Sequence, residues 1–371
     1  MFYNTHIQNQ SINQSINQSI NQSINQSINQ SINRMKNLSI YFLTLISILL
    51  VNCNSNSKKE TNSESTTPSS IKVKKNSLIN KIEDNRFIKV KIGIDSDQIS
   101  NEWKNVLVSR KSANKLDSLS NVVKQITKEE RDWINLIESK TNKWNAFRDS
   151  LKIPFQNIKL KDTVSVLLGY QGGDDAFSYK DQTVCFDVKA LNKAYGSAKN
   201  SVNDNRIDRI FAHEFTHLLH KQWANKNNLE LKTFKDQILW ECVKEGFGMY
   251  RSMSAKWFPI GDSLSLTSKN TFKNLYPIFT EKIIKVSTQS NLTSEEKNDL
   301  HANLSRGSMK KKWGALPVAV WLAIEAKGND ENLAKWVNKG PDAIILLAKK
   351  YLTNESKIAF DEFLKSNKSS E

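Results

Sequence analysis

The spacing of apolar residues predicts a helical N-terminal region over residues 77–155. Trp103, Val106 and Leu107 follow an i, i+3, i+4 pattern, and a second trio with the same spacing begins at Trp133. This spacing places three apolar side chains on one face of a helix, which is typical of a helix that packs against a core.

A different pattern between residues 156 and 190 predicts short strands. Segments 158–161, 164–168 and 183–188 are rich in Val, Ile, Leu and Phe, and residues 172–175 read Gly-Gly-Asp-Asp. Short apolar runs separated by glycine and aspartate indicate strands that are joined by turns or loops.

Two long segments with helical spacing, 204–223 and 233–252, predict strong helices, and residues 256–367 are again mostly helical in pattern. Strands confined to one part of the chain and helices in the rest predict an α+β fold. We expect a small twisted sheet packed on the first of the two helices. This core would span residues 156–255, followed by a helical C-terminal region over 256–371.

Residues 1–34 form a low-complexity leader, because residues 11–30 consist of five copies of Ser-Ile-Asn-Gln. A short perfect repeat of this kind carries no pattern from which a fold can be predicted. Either translation begins at Met35, which we expect, or the leader is a disordered polar tail.

Residues 35–53 resemble the signal peptide of a bacterial lipoprotein. Lys36 supplies a positive charge, and the apolar run 38–51 is short for a membrane span. The resemblance implies that Cys53 is lipidated and anchors the protein to the membrane of the cell envelope, facing the periplasm or the exterior. Residues 54–76 would then be a flexible tether. The alternative is an uncleaved hydrophobic anchor.

The composition argues against two classes of protein. The chain of 371 residues carries a net charge of +16, but its lysines are scattered. A nucleic-acid-binding surface usually clusters its basic residues and uses arginine, so we expect no nucleic-acid partner. Three cysteines exclude a disulfide framework. If Cys53 carries a lipid, Cys185 and Cys242 form one bridge or remain buried thiols.

The segment His213-Glu214-Phe215-Thr216-His217 has the form His-Glu-x-x-His. Residues four apart on a helix differ by about 40° in direction and about 6 Å along the axis. His213 and His217 therefore point the same way and can bind one zinc ion. Glu214 lies beside the metal, where it can accept a proton from a zinc-bound water. A catalytic zinc site also needs a third protein ligand and an open position.

The third ligand is indicated by a resemblance to a known class of enzymes. Residues 244–248 read Lys-Glu-Gly-Phe-Gly and resemble the second metal-binding helix of the gluzincin metallopeptidases, with Gly248 in place of the usual alanine. The resemblance covers roughly residues 160–255. It implies a zincin-like fold and one Zn²⁺ per chain, held by His213, His217 and Glu245.

Two other residues are alternatives for the third ligand. Glu241 lies one turn before Glu245 and is either a ligand or an acceptor that orients a zinc-bound histidine. His220 lies a further turn beyond His217 and is a weaker candidate.

In zincins an edge strand before the metal-binding helix pairs with the extended substrate. The resemblance therefore implies that Thr183, Val184, Cys185 and Phe186 form an edge strand that binds a peptide through main-chain hydrogen bonds. The implied activity is zinc-dependent hydrolysis of peptide bonds in a peptide or protein substrate, with Glu214 as the general base.

Two other functions stay open. One is a non-catalytic envelope lipoprotein with a structural or vestigial metal site, and the other is a polymer-binding module suggested by net charge alone. The presence of Glu214 disfavours a structural site, which needs no base. A peptidase also needs a donor for the developing oxyanion. We expect Tyr250 to face away from the metal, which leaves as candidates Tyr170, Tyr179, Tyr276 and His301.

Overall fold

The computed structural model describes residues 87–95, 98–110, 126–156, 158–159, 163–171, 173–254, 257, 263–289 and 291–368. The leader 1–34, the signal segment 35–53 with Cys53 and the tether 54–76 lie outside these residues. Among the described helices, none has both the length and the apolar character needed to cross a membrane.

Six strands lie in the described part of the chain. They are β1 (Phe87–Ile92), β2 (Ile94–Asp95), β3 (Gln98–Ile99), β4 (Thr163–Gly169), β5 (Ala176–Tyr179) and β6 (Thr183–Asp187). Four of them form a mixed sheet in the order β1-β4-β6-β5, and β2 pairs with β3 in a separate two-stranded ladder. β1, β4 and β6 are parallel, whereas β5 runs antiparallel to β6.

Twelve α-helices are described, and they confirm the α+β class. They are α1 (Asn101–Arg110), α2 (Lys128–Ser139), α3 (Thr141–Lys152), α4 (Val188–Tyr195), α5 (Ser201–Lys226), α6 (Phe234–Ser252), α7 (Leu266–Thr288), α8 (Ser294–His301), α9 (Ala315–Ala326), α10 (Ala334–Asn338), α11 (Ala343–Tyr351) and α12 (Asn354–Lys368). Short 3₁₀ turns occupy Met309–Lys311, Asp330–Leu333 and Gly340–Asp342.

The N-terminal region is helical only in part. The predicted face with Trp103, Val106 and Leu107 is buried in α1, as expected. The prediction of helix before residue 100 was wrong, because Phe87–Ile92 is an outer strand of the main sheet. Its sequence, Phe-Ile-Lys-Val-Lys-Ile, alternates apolar and basic residues with the period of a strand.

The prediction that Thr183, Val184, Cys185 and Phe186 form an edge strand was also wrong. β6 is an inner strand that pairs with β4 on one side and β5 on the other. All five residues of β6 are buried. A strand covered on both faces and both sides reads as an unbroken apolar run, and the sequence shows such a run without showing its neighbours.

The free edge of the sheet on the side of β6 is β5, which was not predicted as a strand. It has only four residues, Ala-Phe-Ser-Tyr, next to a glycine-rich turn. The predicted strands 164–168 and 183–188 correspond to β4 and β6, whereas Ile158 and Lys159 lie in no regular element.

Both cysteines of the described region are buried free thiols, so Cys185 and Cys242 do not form the bridge that the sequence left open. The core between sheet and helices is aromatic. Trp144 of α3 stacks on Phe211 of α5 with ring centroids 4.2 Å apart and on Phe186 of β6 at 5.9 Å. These contacts fix α5 against the sheet.

Helix α6 lies between α5 and α9 and contacts both. It begins with a capping box, in which Thr233 and Asp236 satisfy each other's backbone N–H groups. Two glycines allow close packing. A Cβ on Gly246 would lie 2.3 Å from Cγ1 of Val318 in α9, and a Cβ on Gly248 would lie 2.8 Å from Nε2 of His213 in α5.

Candidate metal centre

The two histidines of the His-Glu-x-x-His motif lie side by side on α5. Their ring centroids are 4.7 Å apart. One possible ligand atom from each of His213, Glu214 and His217 lies within 4.8 Å of the others. The side chains of His213 and His217 are 16% and 12% exposed, so solvent reaches the histidines although they are largely enclosed.

Glu245 on α6 faces both histidines. Its Oε2 lies 3.6 Å from Nε2 of His213, and its Oε1 lies 3.4 Å from Nε2 of His217. These distances exceed those of ordinary N–H···O hydrogen bonds. Two ligands of a tetrahedral zinc ion, each about 2.1 Å from the metal, are about 3.4 Å apart. Two imidazole nitrogens and a carboxylate at this spacing therefore fit a shared zinc ion.

One face of α6 is built around His213. Glu245, Gly248 and Ser252 are spaced i, i+3, i+7 and lie on this face. Gly248 leaves room for the imidazole, because a Cβ at this position would lie only 2.8 Å from Nε2. The Oγ of Ser252 lies 3.2 Å from Nδ1 of His213. This contact leaves Nε2 as the nitrogen that faces Glu245.

The charges of the three ligand side chains are coupled. Burial lowers the pKa of His217 to about 3, against the opposing effect of Glu245. Burial also acts to lower the pKa of His213, but the carboxylates of Glu245 and Glu214 raise it above its ordinary value. Burial acts to raise the pKa of Glu245, but the two histidines and Lys244 hold it well below its usual range. A neutral imidazole and an ionised carboxylate are the forms that bind metals.

Glu214 does not share the environment of Glu245. Burial raises the pKa of Glu214 to about 7, and the carboxylates of Glu245 and Asp175 add to this effect. The positive charge of His213 and a hydrogen bond from the backbone of Ser178 act in the opposite direction. A carboxyl group with a pKa near neutrality can both accept and release a proton at the pH of the cell.

Main-chain groups of β5 point away from the sheet beside Glu214. The N–H of Asp187 donates to the C=O of Asp175 at 3.0 Å. Because hydrogen-bonded and non-hydrogen-bonded pairs alternate in an antiparallel ladder, the N–H and C=O groups of Ala176 and Ser178 point to the free edge. The bond from Ser178 to Glu214 is consistent with this direction.

The two alternative ligands lie in other environments. The carboxylate of Glu241 forms an ion pair with Nζ of Lys244 at 2.8 Å, on a side chain that is 33% exposed. His220 is fully buried among aromatic rings, and its Nδ1 lies 3.1 Å from the C=O of Thr216. Neither is in the group of possible ligand atoms that His213, Glu214 and His217 form.

Tyr250 faces away from the metal site, as expected, and its hydroxyl donates to Asp330 at 2.8 Å. The candidate donors for an oxyanion are also turned elsewhere. Tyr276 is buried, and its hydroxyl oxygen accepts a hydrogen bond from Trp321 at 3.1 Å. Tyr170 is buried as well.

The other two candidates are more exposed but lie on other surfaces. Tyr179 shares a face of β5 with Phe177, which packs on Trp103 of α1, and this face is opposite to α5. The ring of His301 packs against Phe234, which begins α6 about 16 Å along the helix axis before Glu245.

Several residues of the site carry no sequence motif. The roles of Asp175, Ser178 and Lys312 depend on long-range packing that the sequence does not show. Ser252 is different, because a position seven residues after Glu245 falls on the same helical face. Extending that face by two turns would have identified it.

Comparison with known proteins finds no matching family model, no similar curated protein and no similar solved structure.

Proposed function

We propose that this protein is a zinc-dependent peptidase with a zincin-like core. His213, His217 and Glu245 would hold one zinc ion, and Glu214 would be the general base. The observation that carries the proposal is the placement of Glu245, whose two oxygens lie 3.4 and 3.6 Å from the two imidazoles while it comes from a separate helix. A chance His-Glu-x-x-His sequence would have no reason to face such a carboxylate.

The bound metal would supply a Lewis acid that lowers the pKa of water and polarises the carbonyl group of a substrate. Glu214 would accept the proton of the attacking water and release it to the amine that leaves. Its raised pKa, about 7, suits both steps. The free edge of β5 would hold the substrate as an added strand, through the main-chain groups of Ala176 and Ser178. This assignment replaces β6 by β5 as the substrate-binding strand.

We also propose that the enzyme acts at the cell envelope, held to the membrane by a lipid on Cys53. The support is the resemblance of residues 35–53 to a lipoprotein signal. Cys53→Ala should move the protein from the membrane fraction to the soluble fraction, and a variant that stays in the membrane fraction would contradict lipid anchoring at this residue.

Cleavage of a peptide library by the wild type and by Glu214→Gln tests the catalytic assignment. Removal of a general base typically lowers the rate by about 10²–10⁴-fold. The variant should therefore lose cleavage by about this factor while it binds zinc as the wild type does. Equal cleavage by both proteins would show that Glu214 is not the base.

A further inference from the structure

Lys312 is held next to the metal-binding helix α6. It precedes α9, and its C=O accepts a hydrogen bond from the N–H of Leu316 at 3.0 Å. Two residues further on, Gly314 packs so closely on α6 that a Cβ there would lie 2.8 Å from Sγ of Cys242. Cys242 is one helical turn before Glu245. The backbone that carries Lys312 is therefore fixed against the helix that carries the proposed third ligand.

The ammonium group of Lys312 acts on both sides of the metal site. Burial lowers its pKa, whereas the carboxylates of Glu245 and Asp175 raise it. The charge of Lys312 in turn lowers the pKa of His213. Glu245 and His213 are metal-binding residues, and Asp175 immediately precedes the edge strand β5. A positive charge thus lies near both the metal and the strand proposed to hold the substrate.

Lys312 is half-buried, yet within the described ranges its Nζ has no hydrogen bond and no ion pair. Most half-buried lysines near the core of this protein are paired, such as Lys244 with Glu241 at 2.8 Å and Lys282 with Asp299 at 2.7 Å. An ammonium group held partly out of water without a partner retains its capacity to bind an anion.

We propose that Lys312 is a catalytic residue that stabilises the negative charge on the carbonyl oxygen of the peptide during hydrolysis. This inference rests on the proposed peptidase function. The tyrosine and histidine candidates described above are buried, bonded elsewhere or on other faces, so Lys312 is the described cation best placed for this role.

In the step concerned, the oxygen of water bonds to the carbonyl carbon, and the π electrons of the C=O bond move to its oxygen. Glu214 takes a proton from the water, and Lys312 remains protonated and donates a hydrogen bond to the anionic oxygen. The C–N bond then breaks, the C=O bond re-forms, and Glu214 returns its proton to the leaving nitrogen. Lys312 therefore interacts most strongly with the transition state.

Kinetics of Lys312→Met and Lys312→Arg on the peptide that the library selects test the proposal. Loss of one oxyanion donor should lower kcat by about 10²–10³-fold with little change in KM. Lys312→Arg retains the charge and should recover much of this loss. Lys311→Met is the matched control, because Lys311 is exposed in the adjacent 3₁₀ turn and its replacement removes the same charge. It should behave as the wild type.

A second readout is the affinity of the zinc-loaded proteins for a phosphinic analogue of the same peptide, measured by calorimetry. Lys312→Met should weaken binding of the analogue by about the same factor as kcat, while zinc content and melting temperature stay unchanged. Unchanged kcat and unchanged analogue affinity in Lys312→Met would overturn the role of Lys312 alone. A wild type that binds no zinc and cleaves no peptide would overturn the proposed function and this inference with it.

Discussion

At the scale of the residue, Gly248 shows how one missing side chain shapes the site. A glycine inside a helix is less stable than alanine by about 1 kcal/mol. The gluzincin-like segment usually has alanine at this position, and here the imidazole of His213 takes the space that a Cβ would need. The sequence indicated that a small residue was required, but not that its neighbour would be a proposed metal ligand.

Gly248→Ala should therefore weaken zinc binding, because the added methyl group displaces His213. Perturbing the surroundings of a metal-binding histidine typically lowers metal affinity by about 10–100-fold. Competition with a chromophoric chelator would measure the change.

Gly246→Ala is the control for Gly248→Ala. Its Cβ would meet Val318 of α9 rather than a histidine. It should lower the free energy of unfolding and leave the zinc affinity of the folded protein within about twofold, since the clash is away from the ligands. Equal losses of zinc affinity in the two variants would contradict the proposed contact.

At the scale of the element, α5 and α6 were predictable and the sheet was only partly so. The bounds of both helices follow from their apolar spacing, and Glu245 followed from a short motif on the second helix. The order of the strands depends on pairings between distant segments, such as Val184 with both Val166 and Ser178. Buried runs do not specify which strand lies at an edge, so β6 was assigned to an edge and β5 was missed.

Ser178→Pro tests the assignment of β5 as the substrate-binding edge. The N–H of Ser178 points away from β6, so proline there should leave the ladder intact. The variant should fold and bind zinc, but lose its hydrogen bond to Glu214 and disturb the alignment of the peptide. We expect peptide cleavage to fall at least tenfold, roughly the effect of one lost charge-assisted hydrogen bond.

The matched control is Ser178→Ala, which removes only the hydroxyl and keeps the main-chain N–H. Its cleavage rate should equal that of the wild type. If Ser178→Pro is also fully active, β5 does not position the substrate.

At the scale of the whole molecule, the C-terminal helices are held together by a buried carboxylate. Glu325 at the end of α9 accepts hydrogen bonds from Lys350 and Tyr351, and Nζ of Lys335 lies 2.7 Å from it. Burial acts to raise the pKa of Glu325, but these partners outweigh burial and lower the pKa to about 2. The sequence predicted helices here, but not that α9, α10 and α11 would meet at one side chain.

A lowered pKa in the folded state means that the ionised form of Glu325 stabilises the fold. The contribution is fully present above the ordinary pKa of about 4.5 and is lost as the pH falls towards 2. Glu325→Gln should lower the free energy of unfolding at pH 7 by about 2 kcal/mol. Urea denaturation at pH 7 and at pH 3 should show a smaller difference from the wild type at the lower pH.

Glu331→Gln is the control for Glu325→Gln, because Glu331 is an exposed carboxylate in the neighbouring 3₁₀ turn. Its effect should stay within about 0.5 kcal/mol at both values of pH. A loss in Glu325→Gln that is the same at pH 7 and pH 3 would show that ionisation of Glu325 does not matter for stability.

The most direct test of the proposed metal centre is the zinc content of the purified protein, measured by mass spectrometry of the metal. Glu245→Ala and Glu241→Ala form a matched pair on one helix, because each removes one carboxylate one turn apart. We predict one zinc ion per chain in the wild type and in Glu241→Ala, and a much reduced affinity in Glu245→Ala alone. A folded wild type that binds no zinc when zinc is supplied, or equal binding by both variants, would contradict the site.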